Sequence, residues 1–169
     1  MHSREVLLYA YEQIQEHLRA AVEGLSPEQL AYRPAPDANS IAWLAWHLVR
    51  IQDSHIADVA GTEQVWTADG WSDRVGFPFK PSATGYGFTS EQVGRVRVES
   101  ADLLLDYAAA VHTRTAEFLR TLTDDDLDRV VDESWDPPVT LGVRLVSVLA
   151  DDLQHVGQAG YVRGFLLPA

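Results

Sequence analysis

Apolar residues in the first part of the chain recur at the spacing of an amphipathic helix, from Ser3 to Leu25. Positions i, i+3, i+4 and i+7 fall on one side of an α-helix and form the stripe that packs on a core. The members of this stripe are Leu7, Ala10, Tyr11, Ile14, Leu18, Ala21, Val22 and Leu25. The segment Ser26–Gln29 then has the cap, the first-turn proline and the early acid of a short helix of about two turns.

A second long helix is predicted to begin after a cap at Asn39 or Ser40 and to run to Ala60, where Gly61 ends it. One stripe of this helix consists of Ile41, Leu44, Leu48, Ile51, His55 and Val59. Bulky apolar residues also lie on its other sides, namely Trp43, Trp46 and Val49. A helix that is apolar almost all round is expected to be buried between its neighbours.

Two more long helices are predicted in the second half of the chain. Ser100 caps the first of them, whose apolar face consists of Leu104, Tyr107, Ala108, Val111, Phe118, Leu119 and Leu122. Thr140 opens the second, which runs to about Phe165 and follows the Pro137-Pro138 pair, where a continuous helix is disfavoured. Four long helices predict an all-α fold, an antiparallel four-helix bundle with one long crossover, built as a single domain over residues 1–169.

Residues 62–88 connect the second and third long helices and carry six aromatic side chains among glycines and prolines. These aromatics are Trp66, Trp71, Phe77, Phe79, Tyr86 and Phe88. We expect a long ordered loop, because so many aromatics disfavour disorder. Two interpretations have equal weight: a lid that closes over a bound molecule, and a plug that fills the core. The glycines at Gly85 and Gly87 are too few to form a phosphate-binding loop.

The amino-acid composition limits the classes of molecule that the protein is expected to bind. The 169 residues include 13 Lys plus Arg and 25 Asp plus Glu, a formal net charge of −12. Nucleic acids and anionic membranes bind cationic surfaces, so we expect neither to be a partner of this acidic protein. A small-molecule substrate is the class that remains. The absence of cysteine excludes disulfides, iron–sulfur clusters and a cysteine nucleophile. The longest uncharged stretch, Ala38 to Val49, is too short to cross a bilayer, and no signal peptide is visible, which predicts a cytoplasmic protein.

Aspartate and histidine in the last helix are candidate metal ligands. Asp151 lies four residues before His155, so both side chains leave one face of the helix and can bind the same ion. A third ligand has to come from another helix, and His47 and His55 in the second long helix are the candidates. His55 lies on the apolar stripe, where a hydrogen-bonded core histidine is the more common role.

The pattern of the last helix also fits a solvated face at these residues. Its apolar stripe consists of Leu145, Leu149, Leu153, Val156 and Gly160, on the side opposite to Asp151, His155 and Gln158. A carboxylate and a histidine at this spacing often form a surface pair without a metal. Spacing alone therefore leaves a metal site and a solvated face both open.

At these positions the sequence resembles a known family. The segments Trp43–Leu48 and Asp151–Gln158, followed by Arg163, are similar to the motifs of the DinB-like superfamily of four-helix metalloproteins. Within that superfamily they are closest to the branch of the metal-binding domain of mycothiol-dependent maleylpyruvate isomerase. The order of helices agrees over the whole chain, and the two segments are its specific part.

The resemblance implies a DinB-like bundle whose ligand set is His47, Asp151 and His155. With that ligand set, Gln158 is expected to orient a ligand or substrate. Two roles stay open for Arg163, a pair with a substrate carboxylate and a structural ion pair, because it lies nearer the apolar stripe. The branch usually has glutamate at the place of Asp151, and the shorter aspartate implies an ion that lies closer to the last helix or is held more weakly.

The resemblance also implies an activity: a metal-dependent thiol S-transferase that uses a low-molecular-weight thiol of the mycothiol type on a small electrophile. Two alternatives stay open, a non-catalytic bundle that binds a metal or small ligand and a metal-dependent hydrolase. Two imidazoles and one carboxylate suit Zn²⁺, Ni²⁺ or Fe²⁺, and zinc is our expectation. The tryptophans in and near the second long helix permit a homodimer.

Overall fold

The structure is a computed structural model that describes residues 2–166, and helices make up 64% of it. Its helices are α1 Ser3–Val22, α2 Pro27–Leu30, α3 Ile41–Ala60, α4 Val65–Ala68, α5 Trp71–Val75, α6 Ser90–Gly94, α7 Ala101–Thr121 and α8 Leu141–Arg163. Across the described residues α1, α3, α7 and α8 are the long helices, so the all-α prediction of four long helices is confirmed.

The long helices pack in a ring, in which α3 and α1 each contact both α7 and α8. α8 runs antiparallel to α3, because His55 meets Arg144 near the start of α8 while His47 meets His155 near its end. The chain between α3 and α7 crosses the length of the bundle, and α7 therefore runs in the same direction as α3. This is the predicted bundle with one long crossover.

Short polar residues and glycines set the ends of the elements. The Ser40 hydroxyl accepts a hydrogen bond from the Trp43 backbone N–H and so caps α3, and Gly61, with a φ of 68°, ends the helix. The structure thus selects Ser40 over Asn39. α2 is a single turn and not the two turns predicted, because Arg33 precedes a proline and is disfavoured in helical conformation.

Helix α3 is buried along most of its length, as its all-round apolar sequence predicts. Fifteen of its 20 residues are buried, among them the charged Arg50 and Asp53. Its tryptophan Trp46 contacts the crossover, while Leu48 lies in the bundle core. Polar groups on this helix are therefore in a medium where each one needs a partner.

The crossover is more regular than the predicted loop, since it contains the short helices α4 and α5. Its aromatic residues pack on the bundle: Trp66 and Trp71 lie against Tyr107, and Phe77 lies edge-on against Trp46. Of the six aromatics, Tyr86 is the exception, with 86% of its surface exposed. The plug interpretation therefore describes most of this segment.

Between α7 and α8 the chain forms a 3₁₀ turn at Asp125–Asp128 and two short antiparallel strands, β1 Val130–Asp132 and β2 Val139–Thr140. The sequence pattern predicts no strand in this segment. The strands are too short to show the period-two alternation from which strands are recognised. In the described part of the chain, no helix has both the length and the apolar character required to cross a bilayer.

Candidate metal centre

His47 lies on the side of α3 that faces α8 and is 4% exposed. Its Nδ1 is 2.6 Å from the Thr84 carbonyl oxygen, and a carbonyl only accepts, so Nδ1 carries the proton. The ring is stacked on Trp43 at 4.5 Å between centroids. These contacts fix the tautomer and the plane of the imidazole and leave the Nε2 lone pair free.

Asp151 and His155 lie one turn apart on α8, with 3.6 Å between Asp151 Oδ1 and His155 Nε2. The His155 ring meets the His47 ring in a T-shaped arrangement at 4.8 Å between centroids. The His155 side chain is 17% exposed and that of Asp151 37%. The face that the helical pattern left open as solvated is therefore turned partly toward α3.

The three side chains form a group of donors suited to a metal. One donor atom from each of His47, Asp151 and His155 lies within 4.8 Å of the others, and within residues 2–166 this is the one such group. Metal–ligand bonds of about 2.0–2.2 Å place the donors of a single ion about 3–4 Å apart. Closing the group on an ion thus requires side-chain shifts on the order of 1 Å.

An unpaired carboxylate oxygen supports this fit. Oδ2 of Asp151 is buried and has no hydrogen-bond partner among the described residues. A buried carboxylate oxygen without a partner is costly, and coordination of a cation would remove that cost. Two imidazole nitrogens and one carboxylate oxygen are the donor set of catalytic zinc sites, which keep a further position open.

Asp152, the neighbour of Asp151, points the other way and is fully buried. Burial raises the pKa of its carboxyl well above the usual range, and the charge of Asp151 raises it further. Such a shift favours the protonated carboxyl, which is a poorer metal ligand than a carboxylate. The two successive aspartates therefore have different roles, and Asp151 alone faces the histidines.

The protonation of the group follows from its surroundings. Burial lowers the pKa of His47, so its Nε2 is unprotonated at neutral pH. The hydrogen bond between Asp151 and His155 raises the pKa of His155 and lowers that of Asp151. In the absence of a cation the site therefore holds a carboxylate with a proton on His155 beside it.

These shifts predict how the metal-free protein responds to pH. Because the pKa of His155 is raised in the folded state, its pair with Asp151 stabilises the fold below the unfolded histidine pKa of about 6.5. The contribution is lost as pH rises through the raised pKa. We expect Asp151→Asn to destabilise the chelator-treated protein more at about pH 6 than at about pH 8.5, as measured by urea midpoints. An equal effect at both values would contradict the pairing.

Gln158 lies beside the group and supports His155. Its Oε1 accepts a hydrogen bond from His155 Nδ1 at 3.3 Å, which leaves Nε2 of that ring directed at Asp151. Histidines that bind metals commonly donate their second N–H to such an acceptor. Gln158 therefore stands in the position of a residue that orients a ligand.

Arg163 and His55 have other partners. Arg163 donates to the Ala21 and Glu23 carbonyl oxygens at the end of α1, and its role toward a substrate carboxylate stays a prediction. His55 Nδ1 accepts a hydrogen bond from Arg144 at 2.9 Å. The structure thus makes His55 a half-buried, hydrogen-bonded histidine outside the donor group.

Two crossover residues at this site, Thr84 and Gly85, are not predicted from the sequence. Thr84 contributes a backbone carbonyl, which no residue type reveals. Gly85 follows with a φ of 92°, and a Cβ there would lie 3.0 Å from His47 Nδ1 and 3.1 Å from Trp43 Nε1. Glycine is therefore required for the segment to approach the histidine so closely. The sequence signal for this contact is the glycine pair, Gly85 and Gly87. The pair was related only to a phosphate-binding loop, so its role in a close approach of the backbone was not predicted.

Comparison with known proteins identifies the family. The sequence profile described as the DinB superfamily matches residues 10–159. The chain belongs to the DinB superfamily. A solved structure titled as the conserved protein of a locus from Enterococcus faecalis is 29% identical to this superfamily member, with a TM-score of 0.90 over 96% of each chain. Among curated proteins, none matches this chain.

A second solved structure supports the DinB fold. It is titled as a DinB-like protein from Bacillus cereus ATCC 10987 and is 20% identical, with a TM-score of 0.59 over 94% of this chain and 89% of that one. The two structures and the profile agree on a DinB-like all-α fold. The profile identifies the family, and the two structures support the fold.

Proposed function

We propose that this DinB-superfamily protein binds one divalent metal ion through His47, Asp151 and His155 and is a thiol S-transferase. The observation that carries the proposal is the convergence of two imidazoles and a carboxylate from α3 and α8, with Asp151 Oδ2 buried and unpaired. Zinc is the proposed ion, with Ni²⁺ and Fe²⁺ as the other ions that suit this donor set.

When bound, such an ion lowers the pKa of a coordinated thiol, so that the thiolate is available near neutral pH. The thiol loses its proton to water, its sulfur forms a bond to an electrophilic carbon, and the leaving group departs with the bonding electron pair. The chain itself has no cysteine, so the thiol is a separate small molecule, proposed to be of the mycothiol type.

The residues of the chain hold this arrangement in place. Thr84 and Gln158 each accept the Nδ1 proton of a ligand histidine and so direct its Nε2 toward Asp151. Trp43 stacks on His47 and lies edge-on to His155 at 5.8 Å, which shields both rings from water. The proposed link to the maleylpyruvate isomerase branch rests on the segments Trp43–Leu48 and Asp151–Gln158 and on Arg163.

A groove on the same side of the bundle has room for a small molecule. It has a volume of about 460 Å³ and is lined by Ser54, His55, Ala57, Asp58, Thr62, Gln64, Val131, Asp132 and Arg144. It begins two turns after His47 on α3, between α3 and the start of α8. Its volume is within the range of small-molecule sites, and its lining includes none of His47, Asp151 and His155.

The decisive test is the metal content of the wild-type protein and of His155→Ala, measured by elemental analysis after reconstitution with Zn²⁺, Ni²⁺ or Fe²⁺. We expect close to one ion per wild-type chain and a loss of nearly all of it in the variant. His112→Ala serves as the control, because His112 pairs with Glu12 on the far side of the bundle. A wild-type protein without metal under all three conditions would contradict the proposal.

Assays of turnover then distinguish the S-transferase from the two alternative functions. Consumption of a thiol together with an electrophilic dye, lost in His155→Ala, supports the S-transferase. Stoichiometric metal without turnover under any thiol supports the non-catalytic binding bundle, and turnover without added thiol supports metal-dependent hydrolysis.

A further inference from the structure

We infer that Arg50 is a positioning residue for the metal ligand His47: it holds the crossover at Ala83, and the adjoining Thr84 carbonyl then holds the imidazole. The inference rests on the proposed function in one respect, namely that His47 binds a metal. Its first link, from Arg50 to the tautomer of His47, is a property of the metal-free protein and can be tested alone.

Arg50 is 0% exposed, and all its contacts are internal. Its Nε donates to the Ala83 carbonyl oxygen at 3.3 Å, and its Nη2 donates to Gln64 Oε1 at 2.9 Å. Its guanidinium also lies over the Trp66 ring, 5.1 Å from the centroid. All three of these partners belong to the crossover. The Arg50 side chain therefore joins distant points of that segment to α3.

The charge of Arg50 is balanced inside the same network. Asp53 Oδ2 is 3.4 Å from Arg50 Nη1 and accepts a hydrogen bond from the Tyr107 hydroxyl at 2.8 Å. The Asp53 carboxylate also accepts the backbone N–H groups of Val65 and Trp66 at 2.9 and 2.8 Å. Asp53 thus holds the beginning of the crossover, while Arg50 reaches its far end.

The connection to the ligand is short. His47 and Arg50 lie three residues apart on α3, and the carbonyls they contact belong to the successive residues Ala83 and Thr84. The two carbonyls belong to neighbouring planar peptide units that share the Thr84 Cα, so a displacement of the Ala83 carbonyl shifts the Thr84 carbonyl unless the φ and ψ of Thr84 change to compensate. Gly85 then packs against His47, which leaves the crossover little room to compensate.

A core anchor and a positioning residue make different predictions. Replacing a buried charge pair by hydrophobic residues of similar volume often costs no stability. An anchor that served stability alone would therefore be replaceable without any effect on His47. A positioning residue, when replaced, changes the tautomer of His47 even in a protein that stays folded.

The first experiment observes the imidazole nitrogens of His47 by ¹⁵N NMR in metal-free protein at about pH 8, where His47 is neutral because burial lowers its pKa. Wild type is expected to hold the proton on Nδ1. Arg50→Met, which keeps the volume, is expected to give a mixture of tautomers. Arg50→Lys keeps the charge beside Asp53 but lacks the planar fork, and is measured as well in case the methionine variant does not fold.

Thr115→Val is the matched control. It removes the buried hydrogen bond from Gln52 to the Thr115 hydroxyl, between α3 and α7, and touches no crossover contact of Arg50. It is expected to lower the urea midpoint while leaving the His47 tautomer as in wild type. If folded Arg50 variants retain the wild-type tautomer, or if Thr115→Val changes it equally, the inference is overturned.

The second experiment measures Co²⁺ affinity by competition with a chelator, together with the visible spectrum of the bound ion. Arg50→Met is expected to lower the affinity about 10- to 100-fold, the range found for residues that support metal ligands, and to alter the spectrum. Thr115→Val is expected to retain both. If wild type binds no metal, the proposed function fails, while the tautomer result still decides the role of Arg50.

Discussion

Gly85→Ala is expected to lower both the stability of the fold and the affinity for metal, whereas Gly87→Ala is expected to lower stability only modestly. Both glycines have a positive φ, 92° and 72°, which costs a residue with a Cβ about 1–2 kcal/mol. They differ in their surroundings, because Gly85 is buried against His47 and Gly87 has nothing within 4 Å of an added Cβ. The pair therefore separates backbone strain from contact with the site.

The larger effect at Gly85 comes from three crowded contacts. An added Cβ would lie 3.0 Å from His47 Nδ1 and 3.1 Å from both Trp43 and Trp46, all of them buried side chains that have little space to move. Overpacking of this kind costs about 1–3 kcal/mol beyond the strain, for a total of about 2–5 kcal/mol. Displacing His47 should also weaken metal binding at least about tenfold.

Urea unfolding of the metal-free variants and chelator competition with Zn²⁺ measure the two quantities. Gly87→Ala should bind Zn²⁺ as wild type does. Equal affinities for Gly85→Ala and wild type would show that the crossover does not control His47, even if the stability loss is as expected.

Asp53→Ala is expected to destabilise the protein by about 3–5 kcal/mol, because it leaves the fully buried Arg50 without its counter-charge. The variant also removes the acceptor of the Val65 and Trp66 backbone N–H groups. With a total stability of about 5–15 kcal/mol for a domain, this is a large fraction.

Glu23→Ala is the control for Asp53→Ala. Glu23 pairs with Arg19 at 3.6 Å, but its side chain is 63% exposed, and exposed pairs on a helix contribute about 0.3–0.5 kcal/mol. Free energies of unfolding from urea titrations compare the two variants. A loss at Asp53 no larger than the loss at Glu23 would mean that the buried network does not hold the crossover.

The long helices could be predicted from sequence because their signals are local. Ser40, Ser100 and Thr140 each accept a hydrogen bond from the backbone N–H three residues later, so the first turn is encoded within four residues. The stripe of α1 and the all-round apolar α3 likewise express burial directly. The strands and the short crossover helices are too short to show such a period. Their conformation is determined by tertiary contacts, which no local pattern records.

The site was only partly predictable. The spacing of Asp151 and His155 places them on one face of α8, but spacing does not reveal whether another helix covers that face. The covering helix is α3, on which His47 is one of many buried residues. The resemblance to the DinB motifs supplied the pairing of these helices, which the pattern of α8 alone had left open.

The crossover contacts were out of reach of the sequence for a different reason. Thr84 acts through its backbone, and Arg50 in a mainly apolar helix has no visible partner until the chain is folded. Contacts of this kind join residues 33 to 37 positions apart, and no local pattern records them.

The hydrogen bond from His47 to Thr84 has a thermodynamic consequence. It joins the proposed ligand His47 on α3 to a part of the crossover that lies 37 residues further along the chain. Because coupling between two equilibria is reciprocal, an ordered crossover that favours cation uptake is itself favoured by the bound cation. Under the proposed function, zinc starvation would loosen the stretch from Ala83 to Gly85 before the four helices separate. Susceptibility to proteases would then depend on zinc supply at one surface of an otherwise intact fold.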